Sequence, residues 1–135
     1  MRSQWSAIVL VGAVFAFVGC GRADDRKAVG VVTERFLSAI SDGNGQRACA
    51  ELSAGAQQAL EQDESEPCPE AARGLDDEIE PSTITRAQVF ETTAKVDLAD
   101  GQSAFLELTG RGWRVAAAGC RPQGPDEPYQ CVLEA

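Results

Sequence analysis

Five cysteines, Cys20, Cys49, Cys68, Cys120 and Cys131, are the side chains of this 135-residue chain best equipped for covalent chemistry. Cys20 closes an apolar run near the start, which leaves an even set of four. In an exported chain an even set reads as two disulfides. Four cysteines allow three pairings. Cys49–Cys68 with Cys120–Cys131 is favoured because each bond closes a local loop, and loops of roughly 10 to 20 residues contribute about 3 kcal/mol each. A zinc site built from the four thiolates is disfavoured, because no Cys-x-x-Cys pair is present. The chain has no histidine. Imidazole metal ligands, His general bases and Ser-His or Cys-His pairs are therefore excluded.

Carboxylates are the other abundant reactive type, 21 against 12 cations. Asp63, Glu64, Glu66 and Glu70 form one acidic cluster, and Asp76, Asp77, Glu78 and Glu80 a second. Neither has the alternating acids and Gly turn that a calcium loop needs, so both read as solvated faces. Asp97 and Glu107 fall on opposite arms of a predicted hairpin, on its polar face, with Glu107 expected opposite Lys95. Acid–base work by such a pair needs burial that the pattern does not provide. There is no Gly-rich phosphate loop and no Gly-x-Ser-x-Gly elbow. No cofactor is implied. Trp113 and Tyr129 are the natural candidates for a binding surface. Both also fit a packing role, Trp113 at the head of an alternating strand and Tyr129 beside Cys131, against the disulfide or a backbone group.

The stretch Met1–Cys20, MRSQWSAIVLVGAVFAFVGC, has one cation and then about 14 apolar residues, where a spanning helix needs roughly 20. That is the layout of an export signal. Its end, Val18-Gly19-Cys20, resembles the terminal box of a bacterial lipoprotein signal, with Phe17 standing where Leu is usual. The resemblance implies cleavage before Cys20, a diacylglyceryl group on the Cys20 sulfur and often a further acyl chain, such as palmitate, on the new amine. An ordinary signal peptide cut elsewhere and an uncut anchor are the competing readings. Two acyl chains at one residue suffice for stable anchoring, since each buried methylene contributes about 0.8 kcal/mol.

On this reading 1–19 is the signal peptide, 20–25 the lipidated Cys and a polar tether, and 26–135 a single domain. Removal of 19 residues leaves 116 with a net charge of −10 (11 cations, 21 carboxylates). Such a surface repels nucleic acid and anionic headgroups, so the expected membrane contact is the lipid on Cys20 and not a basic patch.

The elements follow from periodicity. Val29, Val32, Phe36 and Ile40 make one stripe of a helix over Arg26–Ser41, widened by Val31, Leu37 and Ala39, and Asp42-Gly43-Asn44-Gly45 stops it. Asp24 or Asp25 is expected to cap it. A short helix over Gln46–Leu52 and one from Ala54 to about Gln62, capped by Ser53, follow. Ala71, Leu75 and Ile79 allow another turn or two before Pro81. The period then changes to two. Ala94, Val96 and Leu98 alternate before Asp100-Gly101, a hairpin signal. A three-residue loop, Asp100-Gly101-Gln102, pairs Leu98 with Ala104, Val96 with Leu106 and Ala94 with Leu108, all on one apolar face. Trp113, Val115 and Ala117 form the next strand, and Val132-Leu133 a short last one. The fold class is α+β: N-terminal helices packed on a curved antiparallel meander of about four strands, with two disulfides.

Gly112-Trp113-Arg114-Val115, Ala118-Gly119-Cys120 and Pro128-Tyr129-Gln130-Cys131, with Ala48-Cys49-Ala50-Glu51-Leu52 and Cys68-Pro69 upstream, resemble a group of small actinobacterial lipoproteins of uncharacterised function. The order of helices and strands is also similar to nuclear transport factor 2-like or cystatin-like domains, which implies a conical helix-on-sheet fold with a pocket between the layers. That fold hosts enzymes and non-enzymes alike. Its isomerases use a buried acid with Tyr donors, and this chain has one Tyr. The expected role is therefore a non-enzymatic, lipid-anchored binding or accessory domain of the cell envelope, contacting an envelope protein or a small apolar ligand through a cleft between helix and sheet. An envelope enzyme using that pocket and a secreted ligand-binding protein are the alternatives.

Overall fold

A computed structural model describes residues 20–135. Residues 1–19, expected to be a signal peptide, lie outside the described residues, as does the Cys20 side chain. The elements are α1 (Cys20–Ser41), α2 (Gly45–Glu51), α3 (Ala54–Glu64), α4 (Cys68–Ala71) with a 3-10 turn over Ala72–Asp77, and strands β1 (Ile84–Phe90), β2 (Thr93–Leu98), β3 (Ser103–Thr109), β4 (Gly112–Cys120) and β5 (Leu133–Glu134). The five described strands form one antiparallel sheet in the order of the chain, a four-strand meander with the expected short last strand, here Leu133–Glu134, added at its edge.

The α1 stripe is buried at Val29, Val32, Phe36, Leu37, Ala39 and Ile40, whereas Val31 is 40% exposed and faces solvent. Buried Thr33 is satisfied, its Oγ1 donating to the Val29 carbonyl at 2.9 Å. The segment 21–25, expected as a tether, is continuous helix. Arg22, Ala23, Arg26 and Lys27 all favour helix, and no Pro interrupts them. Asp25 also lies inside the helix rather than at its cap, and Trp113 Nε1 donates to its Oδ1 at 3.2 Å. Asn44 caps α2 by accepting from the Arg47 amide, and Ser53 caps α3 by accepting from the Ala56 amide at 3.2 Å. Arg35 grips Glu51 with both Nε and Nη2, at 2.9 and 3.1 Å, tying α1 to α2.

Both disulfides are present in the expected pairing. Cys49–Cys68 staples α2 to α4, and Cys120–Cys131 returns the tail to the end of β4. The tail is held further by two backbone bonds between Arg121 and Gln130.

The β2–β3 register differs from the expected one by two residues. Ala94 faces Leu106 and Val96 faces Ala104, and the Leu98 amide donates to the Gln102 carbonyl at 2.9 Å. The loop has the expected three residues, but they are Ala99-Asp100-Gly101. In such loops a type I turn is followed by a residue in the left-handed region, and that residue must come third. Gly101, at φ +89°, takes this place. A two-residue shift keeps every side chain on its face, so Ala94, Val96, Leu98, Ala104 and Leu106 are all buried as expected. Two consequences follow. Gln102 is buried and its Oε1 finds no partner among the described residues. Leu108, expected in the apolar set, pairs with Trp113 at the end of its strand and is 44% exposed.

Candidate functional site

Two faces of the sheet are built from alternate residues of the same strands. The inner face meets the helices over a continuous cluster that includes Phe36, Ile40, Leu52, Leu106, Val115 and Leu133. Trp113 belongs to this inner layer: it is 4% exposed and anchored to α1 through Asp25. Packed side chains fill the space between helix and sheet beneath Trp113, and the openings between the two layers lie at their margin, along β1 and beside Trp113. The buried polar side chains are Thr33, Ser53, Gln102 and Ser103, and no Asp or Glu is buried among the described residues.

The outer face carries the polar and aromatic groups. Lys95 and Asp97 project from β2 toward the same side, with Lys95 Nζ 3.0 Å from Asp97 Oδ1. Ser103, opposite Asp97 on β3, donates from Oγ to the same Oδ1 at 2.8 Å. Phe105 stands opposite Lys95, and the Tyr129 ring, delivered by the disulfide-closed tail, meets it edge to face with centroids 5.2 Å apart. Lys95 Nζ lies 5.1 Å from the centroid of the Tyr129 ring, a cation–π distance. Glu107, expected to face Lys95, faces Thr93 instead because of the shifted register. The tail could not be aimed from sequence, because nothing local to Tyr129 points to Phe105. The only available signal was the tie of Cys131 to Cys120.

These contacts set the charge states. Partial burial pushes the Asp97 carboxyl up, but the Lys95 ammonium, the Ser103 hydroxyl and the charge of Arg86 together outweigh it, and its pKa falls below the ordinary carboxylate value. Lys95 is held above the ordinary lysine value, first by the Tyr129 side chain and then by Asp97, against the opposing pull of burial. Asp97 is thus a committed anion whose Oδ1 meets both Lys95 and Ser103, the reverse of a poised general acid.

Two open clefts flank Phe105 on this face. One, of about 440 Å³, runs between Phe105, Ala116 and Ala117 and the tail residues Pro128, Tyr129 and Cys131. The other, of about 390 Å³, lies toward the β1–β2 turn and is lined by Phe90, Thr93, Lys95 and Glu107. Each has an apolar floor and a charged rim, a combination that takes an aromatic or aliphatic side chain or a small apolar molecule. Among the described residues no cluster of three or more Cys, Asp or Glu could hold a metal ion, and no helix is long and apolar enough to cross a membrane. No family model, no curated protein and no solved structure matches this chain.

Proposed function

We propose that this protein is a non-enzymatic, lipid-anchored domain of the extracytoplasmic cell envelope, with a nuclear transport factor 2-like or cystatin-like fold. Its binding face is the outer side of the sheet around Phe105 and Tyr129. The observation that carries the location is the use of cysteine. The two disulfides consume four of five, in keeping with an oxidising compartment, and leave Cys20, the residue at the lipoprotein-like cut site, as the one outside both pairs. The binding role rests on the two clefts beside Phe105. A partner's aromatic or aliphatic side chain, or a small apolar ligand, fits their floors, and Lys95 and Glu107 supply charges at the rim.

The test is the intact mass of the protein extracted from membranes of its own host. A mass beginning at Cys20 plus a diacylglyceryl group, and release of a Cys20→Ser variant into the soluble fraction, are the expected results. An unmodified mass from a cut elsewhere overturns the anchor and makes the protein a diffusible one. A precursor mass in a Cys20→Ser variant that stays with membranes assigns an uncut anchor instead.

A further inference from the structure

The net charge of residues 20–135, 11 cations against 21 carboxylates, conceals a division between the two ends of the sheet. In a meander alternate turns share an end. The Glu91–Thr92 and Gly110–Arg111 turns lie at one, and the Ala99–Gly101 loop and Cys120 at the other. The head of α1 sits at the first end, fixed there by the Asp25–Trp113 hydrogen bond.

Six of the 11 cations gather around that end. Arg22, Arg26 and Arg86 line a cleft of about 280 Å³ that also touches Phe90. Lys27, Arg111 and Arg114 line a second, of about 470 Å³, beside Trp113. None of the six forms an ion pair with another described residue, and Arg114 donates only to the Trp113 carbonyl, at 2.7 Å. The carboxylates in this region are Asp24, Asp25 and Glu91, with Asp97 opposite Arg86 and Glu107 opposite Arg114. Among the described residues, two of the three large exposed apolar side chains, Phe90 (57%) and Leu108 (44%), stand at the same end.

The opposite end is acidic. Glu78 borders a groove with Gly119 and Arg121. The Asp100 amide is bonded to Ser82, so the segment after Glu80 runs beside the Asp100 loop. Asp126 and Glu127 lie in the tail tied to Cys120. The nine residues of β4 separate the two ends by about 30 Å. At 0.1 M salt the screening length is about 10 Å, so the acidic end does not cancel the field at the basic one.

We propose that the end formed by the head of α1 and the two hairpin turns docks on an anionic phospholipid surface. Arg22, Arg26, Lys27, Arg86, Arg111 and Arg114 would meet headgroup phosphates, while Phe90 and Leu108 enter the interface. The inference rests on the anchor reading for its biological setting, since α1 opens at Cys20 and a lipid there would bring this end to the bilayer. It is also a second membrane signal of the kind that makes lipid anchoring durable.

The test removes the lipid. The full chain carrying Cys20→Ser, produced in its host, is sedimented with vesicles of equal parts phosphatidylglycerol and phosphatidylcholine, and with vesicles of phosphatidylcholine alone, at about 0.1 M salt. Binding to the anionic vesicles only is expected, weakening about fivefold for each cation removed in Arg22→Gln, Arg26→Gln and Arg111→Gln, and lost near 1 M salt. Phe90→Ser also weakens binding, whereas Arg73→Gln, on the 3-10 turn, does not. Equal partition onto both vesicle types, no binding to either, or equal loss from Arg73→Gln overturns the proposal. The intact mass of the unmutated protein reports separately on Cys20, so failure of the anchor and failure of the basic surface are told apart.

Discussion

Gly119→Ala should destabilise the domain by about 2–4 kcal/mol. Gly119 has φ +64°, in the left-handed region, where an L side chain costs roughly 1 kcal/mol. A Cβ there would sit 2.7 Å from Val132 Cγ2, 2.9 Å from Val132 Cβ and 3.1 Å from Ile79 Cγ1. Ordinary carbon contacts begin near 3.5 Å, so Val132 must retreat by roughly 0.8 Å. It is poorly placed to do so, since its amide donates to the Ala118 carbonyl at 3.1 Å and its neighbour Cys131 is bonded to Cys120. Overpacking of this kind typically costs about 1–3 kcal/mol, which with the backbone term gives the stated range. For a domain of this size that is a fall in Tm of about 8–16 °C. Differential scanning calorimetry measures it, with Gly74→Ala as the control. Gly74 has open space around its Cβ position and no positive φ, so Ala there should be neutral or slightly stabilising. Gly119→Asn divides the two causes, because Asn tolerates the left-handed region yet still carries a Cβ. A Gly119→Ala protein that melts within about 2 °C of the parent would show that the tail moves freely past β4, and the packing argument would be wrong.

Two further outcomes follow from geometry already described. Replacing Cys49 and Cys68 together by Ala should cost about 3 kcal/mol for a separation of 19 residues, and replacing Cys120 and Cys131 nearly as much for a separation of 11, both measured by urea denaturation. Asp97→Asn should lower stability at pH 7 by about 1 kcal/mol, a modest figure because the pair remains partly solvated. Because folding depresses the Asp97 pKa, its contribution is fully present above the ordinary value of 3.8 and is lost as pH falls from there through the lower folded value, so the gap between variant and parent should narrow steadily below pH 3.8 in the same assay. A constant difference from pH 7 to pH 3 would refute the assignment. Lys95, whose pKa is raised, contributes fully below its ordinary 10.5 and loses that contribution only as pH climbs beyond it.

What was legible in the sequence was local. The Val29–Ile40 stripe, the Ser53 cap and the change of period after Pro81 each express a rule that acts within a few residues. The disulfide pairing was legible for the same reason, since each bond joins neighbours along the chain. The β2–β3 register was misread by two residues because Asp100-Gly101 marks a turn without saying which loop position the glycine takes. The first turns of α1 read as a tether in sequence because Asp24 and Asp25 resemble caps, and the indole that employs Asp25 is 88 residues away. Lys95, Asp97, Ser103, Phe105 and Tyr129 were not legible as one group, since the return of the tail brings Tyr129 to the others. The basic end was hidden in the same way. Its cations run from Arg22 to Arg114 in sequence, and only the alternation of turns gathers them.

The order of the disulfides bears on how the chain matures. Neither pair straddles the other, and each half-cystine is bonded to the next one along after Cys20. A chain threaded N-terminus first into an oxidising space presents Cys49 and then Cys68, later Cys120 and then Cys131. An oxidase that joins thiols in order of emergence therefore reaches the native pairing without isomerisation. The one thiol that would spoil this sequence is Cys20, which emerges first and would meet Cys49. Capture of its sulfur by a lipid would guard against misoxidation as well as anchor the protein, and a chain left unacylated should accumulate scrambled or intermolecular disulfides in the first minutes after export.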